Sequence, residues 1–141
     1  MEPKAILLPV CAQVLLTFFV WTYTLVKRIT AIRRSKINPQ VLADEPTALK
    51  VFKSAIHPAD NFENLFELPV LFFVAAIILV GTGLTDGPYV IGAWTFVALR
   101  ALHSAIHCTY NGVTHRFYAY LLGSLVLWAI WARLTFQLAI G

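Results

Sequence analysis

Arg100, His103, His107 and Asn111 recur at intervals of three and four, which puts them on one stripe of a helix. A guanidinium, two imidazoles and a carboxamide on one face can bind an anion, share a metal or pass a proton. Arg116 stands a few residues further on, and Tyr120 lies one helical turn after it. A second set, Asp60, Asn64 and Glu67, is spaced by four and three. Its acids and amide complement the cation and imidazoles of the first set. Both occur in a chain that is 59% hydrophobic and only 13% charged, so the charges are concentrated rather than spread.

The elements that must carry these residues follow from the same proportions. With a mean hydropathy of +0.73, the chain reads as a membrane protein and not as an ordinary soluble domain. Apolar stretches cover residues 5–26, 62–83, 88–108 and 118–139. Each has the ~20 residues needed to cross a hydrocarbon core of roughly 30 Å. Backbone groups in lipid must be satisfied within the segment, so the stretches are helices. The expected fold class is therefore an all-α membrane protein, a four-transmembrane-helix bundle forming a single domain over residues 1–141.

Lysines and arginines orient the bundle. The connection 27–61 carries Lys27, Arg28, Arg33, Arg34, Lys36, Lys50 and Lys53, the "GTGLTDGPY" connection carries none, and the third carries Arg116. The positive-inside rule places the first and third connections in the cytoplasm and both termini on the non-cytoplasmic side. The basic pI of about 9.3 does not indicate a nucleic-acid partner, because the cations flank apolar spans and no nucleic-acid module is present. Cys11 and Cys108 fall at opposite ends of the bundle, too far apart for an intrachain disulfide. The first stretch is too long for a signal-peptide core and lacks a small-residue cleavage site, so it reads as a retained helix. Pro39 is expected to stop the helix carrying the first basic cluster, Asp44 to cap the next, and Pro58 and Pro69 to kink the second span.

At about 1.5 Å per residue, Glu67 falls roughly 8 Å and Arg100 roughly 12 Å inside the cytoplasmic ends of their helices. Those depths predict a Glu67–Arg100 pair, with Glu63 and Asn64 level with His103 and Asp60 and Asn61 level with His107. Such a pair serves either helix register or a binding pocket. His103 and His107, at i and i+4, are also a possible metal or haem pair, but no third ligand stands on the same helix and no metal site is assigned. Arg133 is expected to snorkel outward or pair locally. Arg33, Arg34 and Lys36 set topology and meet anionic lipid, whereas Lys27 and Arg28 can reach an anionic ligand at the membrane edge.

Taken in order, "NFENLFELPVLFF" in the second span, "RALH" in the third and "RFYAY" opening the fourth resemble the MAPEG family. That is the membrane-associated family of eicosanoid and glutathione metabolism, which includes microsomal glutathione transferases and leukotriene and prostaglandin synthases. The resemblance covers nearly the whole chain. It implies a homotrimer with glutathione bound between neighbouring subunits, open to the cytoplasmic side. By position in the motifs, Asn64 and Glu67 match the helix-two pair that holds glutathione and Arg100 matches the arginine that contacts that glutamate. Arg116 matches the arginine that stabilises the thiolate, and Tyr120 the tyrosine one turn later. His103, His107 and Arg28 complete the expected contacts. The implied function is a glutathione-dependent transferase or peroxidase acting on apolar electrophiles, the alternative a non-catalytic subunit or lipid-binding scaffold of the same fold. The expected partners are membrane lipid, glutathione and a hydrophobic small molecule, and the expected location a bacterial inner membrane. No arginine stands in "FKSAIHPADN", where many members carry one before the asparagine, and His107 replaces a family tyrosine.

Overall fold

Four helical runs are long and apolar enough to cross a membrane: Lys4–Ser35, Lys53–Thr82, Gly87–Cys108 and Val113–Ile140. The computed structural model describes residues 3–140, and there is no strand among the described residues. A 3-10 turn over Pro3–Ile6 leads into α1, Leu7–Ser35. The α1 helix continues well past the apolar stretch because its end is built to leave the membrane. Arg33 and Arg34 occupy its last turn, where cations favour the carbonyl end of a helix. Lys36 then turns left-handed at φ 53°, and Pro39 follows.

Much of the segment between the first two spans is helical. Asn38 caps a 3-10 turn over Pro39–Ala43 by accepting a bond from the Gln40 amide at 3.0 Å. Asp44 caps α2, Glu45–Val51, accepting from the Thr47 amide at 3.2 Å, with Pro46 in the first turn.

The second span is broken rather than bent. After a 3-10 turn at Lys53–Ala55, α3 covers Ile56–Asn64 and α4 covers Leu68–Thr82. Pro58 sits in the first turn of α3 and Pro69 in the first turn of α4, where a missing N–H is tolerated. Pro69 cannot donate to Leu65 and its ring crowds that carbonyl, so the helix stops ahead of it. Glu67 stands at the start of the second piece, at φ −91°, ψ −99°, with no capping bond from its side chain. Gly83, left-handed at φ 71°, ends α4. Asp86 then caps α5, Gly87–Cys108, by accepting from the Tyr89 amide at 3.3 Å. The bundle closes with α6, Val113–Ile140.

The core lies between α4, α5 and α6. Phe72, Ala75, Ala76 and Leu79 meet Ala93 and Phe96, backed by Leu127 and Leu134, all essentially inaccessible. The Phe72 and Phe96 rings lie 5.0 Å apart. Only a narrow stripe of α1 is buried (Pro9, Gln13, Val20 and Thr24), whereas Phe18, Phe19, Ile77, Ile91 and Trp128 face outward. An apolar exterior around an equally apolar core is the surface a bilayer requires.

Candidate functional site

The site forms where α3, α5 and α6 converge, at the end of the bundle that carries the α5–α6 turn. Val113, Arg116, Phe117 and Tyr120 of α6, His103 and His107 of α5, and Asp60 and Asn64 of α3 line a cleft of about 290 Å³. The short turn between α5 and α6 makes this possible. Asn111, left-handed at φ 48°, closes it by donating its backbone amide to the Ile106 carbonyl at 2.8 Å. Arg116 is thereby brought back beside the last turn of α5.

Arg116 is held by neutral groups. Its Nη1 donates to Nε2 of His107 at 3.0 Å and to Oδ1 of Asn111 at 2.8 Å. Since arginine can only donate, His107 Nε2 must be the acceptor, and its proton sits on Nδ1, which is buried without a partner. His103 has the same tautomer for a different reason. Its Nδ1 lies 3.1 Å from the Arg116 carbonyl, which can only accept, so Nε2 is a bare lone pair, likewise buried and unpartnered. Asn111 Nδ2 reaches His57 Nδ1 at 3.1 Å, extending the network to α3. Of the predicted site residues, then, Arg116, Tyr120, Asn64, His103 and His107 line one cleft.

The predicted Glu67–Arg100 pair does not form. Arg100 is fully buried, and its only hydrogen bond runs from Nη2 to the Tyr120 carbonyl at 3.1 Å. The Tyr120 ring stands between the two charges. Its centroid lies 4.4 Å from the Arg100 guanidinium carbon, while its hydroxyl donates to Glu67 Oε2 at 3.4 Å. The cause is the break before Pro69. Asp60 and Asn64 stay on one face of α3, joined by a bond from Asn64 Nδ2 to the Asp60 carbonyl at 2.9 Å. Glu67 lies beyond the break and points to the exposed rim.

Arg28 is not in this cleft. It stacks at 5.6 Å over Phe52 and lines shallow grooves of about 230 and 320 Å³ between α1 and the α2–α3 segment. Asp60 borders both the cleft and the first of those grooves, so α3 divides them. Three residues outside the expected ligand contacts, Asn61, Ser104 and Cys108, form the site's frame. Asn61, wholly buried, accepts from Ser104 Oγ at 3.2 Å and donates to Cys108 Sγ at 3.5 Å. Their signal was readable: Ser104 and Cys108 stand at i and i+4, one position round from the histidines.

At the opposite end, Arg133 does pair locally. It forms a two-pronged bridge to Asp86, Nη1 to Oδ1 at 2.7 Å and Nη2 to Oδ2 at 2.5 Å. That is the one carboxylate–cation pair within salt-bridge distance among the described residues. The hydrogen bond from Arg133 holds the Asp86 carboxyl below its ordinary range. No cluster of three or more metal-ligating side chains occurs among the described residues.

Comparison with curated proteins and with solved structures found no match to either. The MAPEG family model, by contrast, matches residues 6–136. With four membrane-spanning helices and a match over nearly its whole length, the chain belongs to the MAPEG family, whose membrane proteins serve glutathione-related or eicosanoid metabolism.

Proposed function

We propose that the protein is a glutathione-dependent membrane transferase or peroxidase that acts on apolar electrophiles. The observation that carries this reading is the pairing of Arg116. Both acceptors on its guanidinium are neutral, so its charge is not cancelled by a carboxylate and remains available to an anion in the cleft. A thiol with a pKa of about 8.5 is mostly protonated at neutral pH, and an adjacent guanidinium favours the nucleophilic thiolate. The aromatic rim of Phe117 and Tyr118 is exposed beside this point, where an electrophile dissolved in lipid would arrive.

The residues present fit the thiol end of glutathione. Arg116 meets the sulfur, Tyr120 offers a hydroxyl, and His103 Nε2 is an unsatisfied acceptor in the cleft wall. Asp60 and Glu67 are exposed acids suited to the ammonium group. Glutathione also carries two carboxylates, and Arg116 is the only arginine or lysine lining the cleft. We therefore read the active form as a homotrimer in which Arg28 of a neighbouring subunit supplies a further cation at the subunit boundary. The orientation that goes with this reading puts the cleft at the cytoplasmic face, both termini outside, in a bacterial inner membrane.

A second reading has one observation in its favour. Asp60 sets a negative charge at the mouth of a site meant for an anion. That feature suits a non-catalytic membrane subunit or lipid-binding scaffold that keeps the fold and no longer binds the tripeptide. The experiment is an assay of purified protein with glutathione and a chlorinated nitroaromatic acceptor, alongside calorimetric titration of glutathione. Turnover that is lost in Arg116→Ala supports the enzyme. Absence of both turnover and binding in the wild type leaves the scaffold.

A further inference from the structure

Arg100 is the largest side chain with no exposure at all, and its surroundings do not stabilise it as a charge. Nε and Nη1 have no partner, and no carboxylate lies within salt-bridge distance. A buried cation left in that state costs stability. What it provides is position. The guanidinium carbon lies 4.4 Å from the centroid of the Tyr120 ring and 5.7 Å from that of Phe96. Its one hydrogen bond ends on the Tyr120 carbonyl, which also accepts from Ser124 Oγ at 2.8 Å. Backbone and ring of Tyr120 are thus both held by the same buried group.

The seat for that group is a missing side chain on the next turn of α6. A Cβ at Gly123 would stand 3.3 Å from Arg100 Nη2, 3.4 Å from Nε and 3.5 Å from Leu99 Cβ. Helix interiors disfavour glycine, so its place here is explained by what it admits. We propose that Gly123 and Arg100 form a seat that sets the angle of the Tyr120 ring, so that its hydroxyl spans the cleft and Glu67. Gly123 is thereby a positioning residue for the thiol chemistry, an inference that rests on reading the cleft as a thiol site. Arg100 acts through Tyr120 and not as a ligand for glutathione, because the Tyr120 ring and α6 enclose it.

The test uses the full-length protein with 3-fluorotyrosine placed at position 120. Gly123→Ala requires a shift of a few tenths of an ångström in the guanidinium, and Gly123→Val displaces it. Both should move the fluorine resonance, Val further than Ala, and Arg100→Lys should move it too by removing the flat stacking partner. Gly123→Val is expected to lower kcat about tenfold while the KM for glutathione changes less than about twofold, as for a misplaced rather than absent group. The Gly123→Val/Tyr120→Phe double variant should be no slower than Tyr120→Phe alone. A fluorine resonance unmoved by any of the three substitutions, or activity losses that multiply in the double variant, overturns the proposal. If Gly123→Val does not fold, Gly123→Ala and Arg100→Lys carry the same comparison. Wild-type protein without glutathione turnover removes the thiol reading by itself, and the resonance still decides whether the seat exists.

Discussion

Each end of the bundle stacks an arginine on a tyrosine, at nearly the same distance from the ring. Arg133 lies 4.3 Å from the Tyr89 ring and Arg100 4.4 Å from that of Tyr120. Both tyrosine hydroxyls then bond a side-chain oxygen, of Gln137 at 2.5 Å and of Glu67 at 3.4 Å. The difference is the counter-charge. Arg133 is locked to Asp86 by two hydrogen bonds, at a half-exposed site where the charges retain water. Arg100, with no exposure, has none, and neither does Arg116, whose acceptors are an imidazole and an amide. Matched charge at the Asp86 end closes a loop onto a helix. Unmatched charge at the cleft end is held only by neutral groups, which is why it is best explained by a ligand and by placement of the groups around it.

The comparison breaks most sharply at Arg116. Replacement by alanine should reduce glutathione-dependent turnover by ~100-fold or more, as removal of a charge-stabilising donor does, with little change in the thermal unfolding midpoint. Steady-state kinetics and calorimetry on one preparation check both halves. An equal loss of stability would mean that Arg116 is structural, as Arg133 is.

The next largest effect concerns the frame. Asn61→Ala leaves the Ser104 hydroxyl buried without its acceptor and should cost about 1–3 kcal/mol in unfolding. Asn61→Ala combined with Ser104→Ala should recover part of that loss, since both polar partners are then gone. Chemical unfolding of the four proteins of the cycle measures the coupling.

Arg100→Met sharpens the comparison in the other direction. Removing an unpaired buried cation in favour of an apolar chain of similar length is expected to be neutral or stabilising, while turnover falls about tenfold. A clear drop in thermal stability would show that Arg100 holds helices together, contrary to its unpaired state.

The smallest change is expected at the matched end. Asp86→Asn keeps a good helix cap and loses only the ion pair, at an exposed site where such pairs are worth about 1 kcal/mol or less. Because Arg133 depresses the folded carboxyl's pKa, the pair's contribution is complete above the ordinary carboxylate range, about pH 4. It is lost as pH falls through the folded value. Wild type and variant should therefore differ by a constant amount near neutrality and converge in acid, in thermal unfolding followed from pH 7 downward.

Residue order alone was enough to establish the four apolar helices and the family motifs, because lipid admits few other structures for such stretches. It also placed Asn64, His103, His107, Arg116 and Tyr120 in one neighbourhood, since helical periodicity and depth are both local quantities. Two things were decided only in three dimensions. The break ahead of Pro69 turned Glu67 off the stripe it shares in sequence with Asp60 and Asn64, and so exchanged a predicted Glu67–Arg100 bridge for contacts through Tyr120. The seat of Arg100 depends on Gly123 of another helix. Periodicity states which side chains share a face. Which faces meet, and which atoms are left without a partner when they do, depends on packing between segments far apart in the chain.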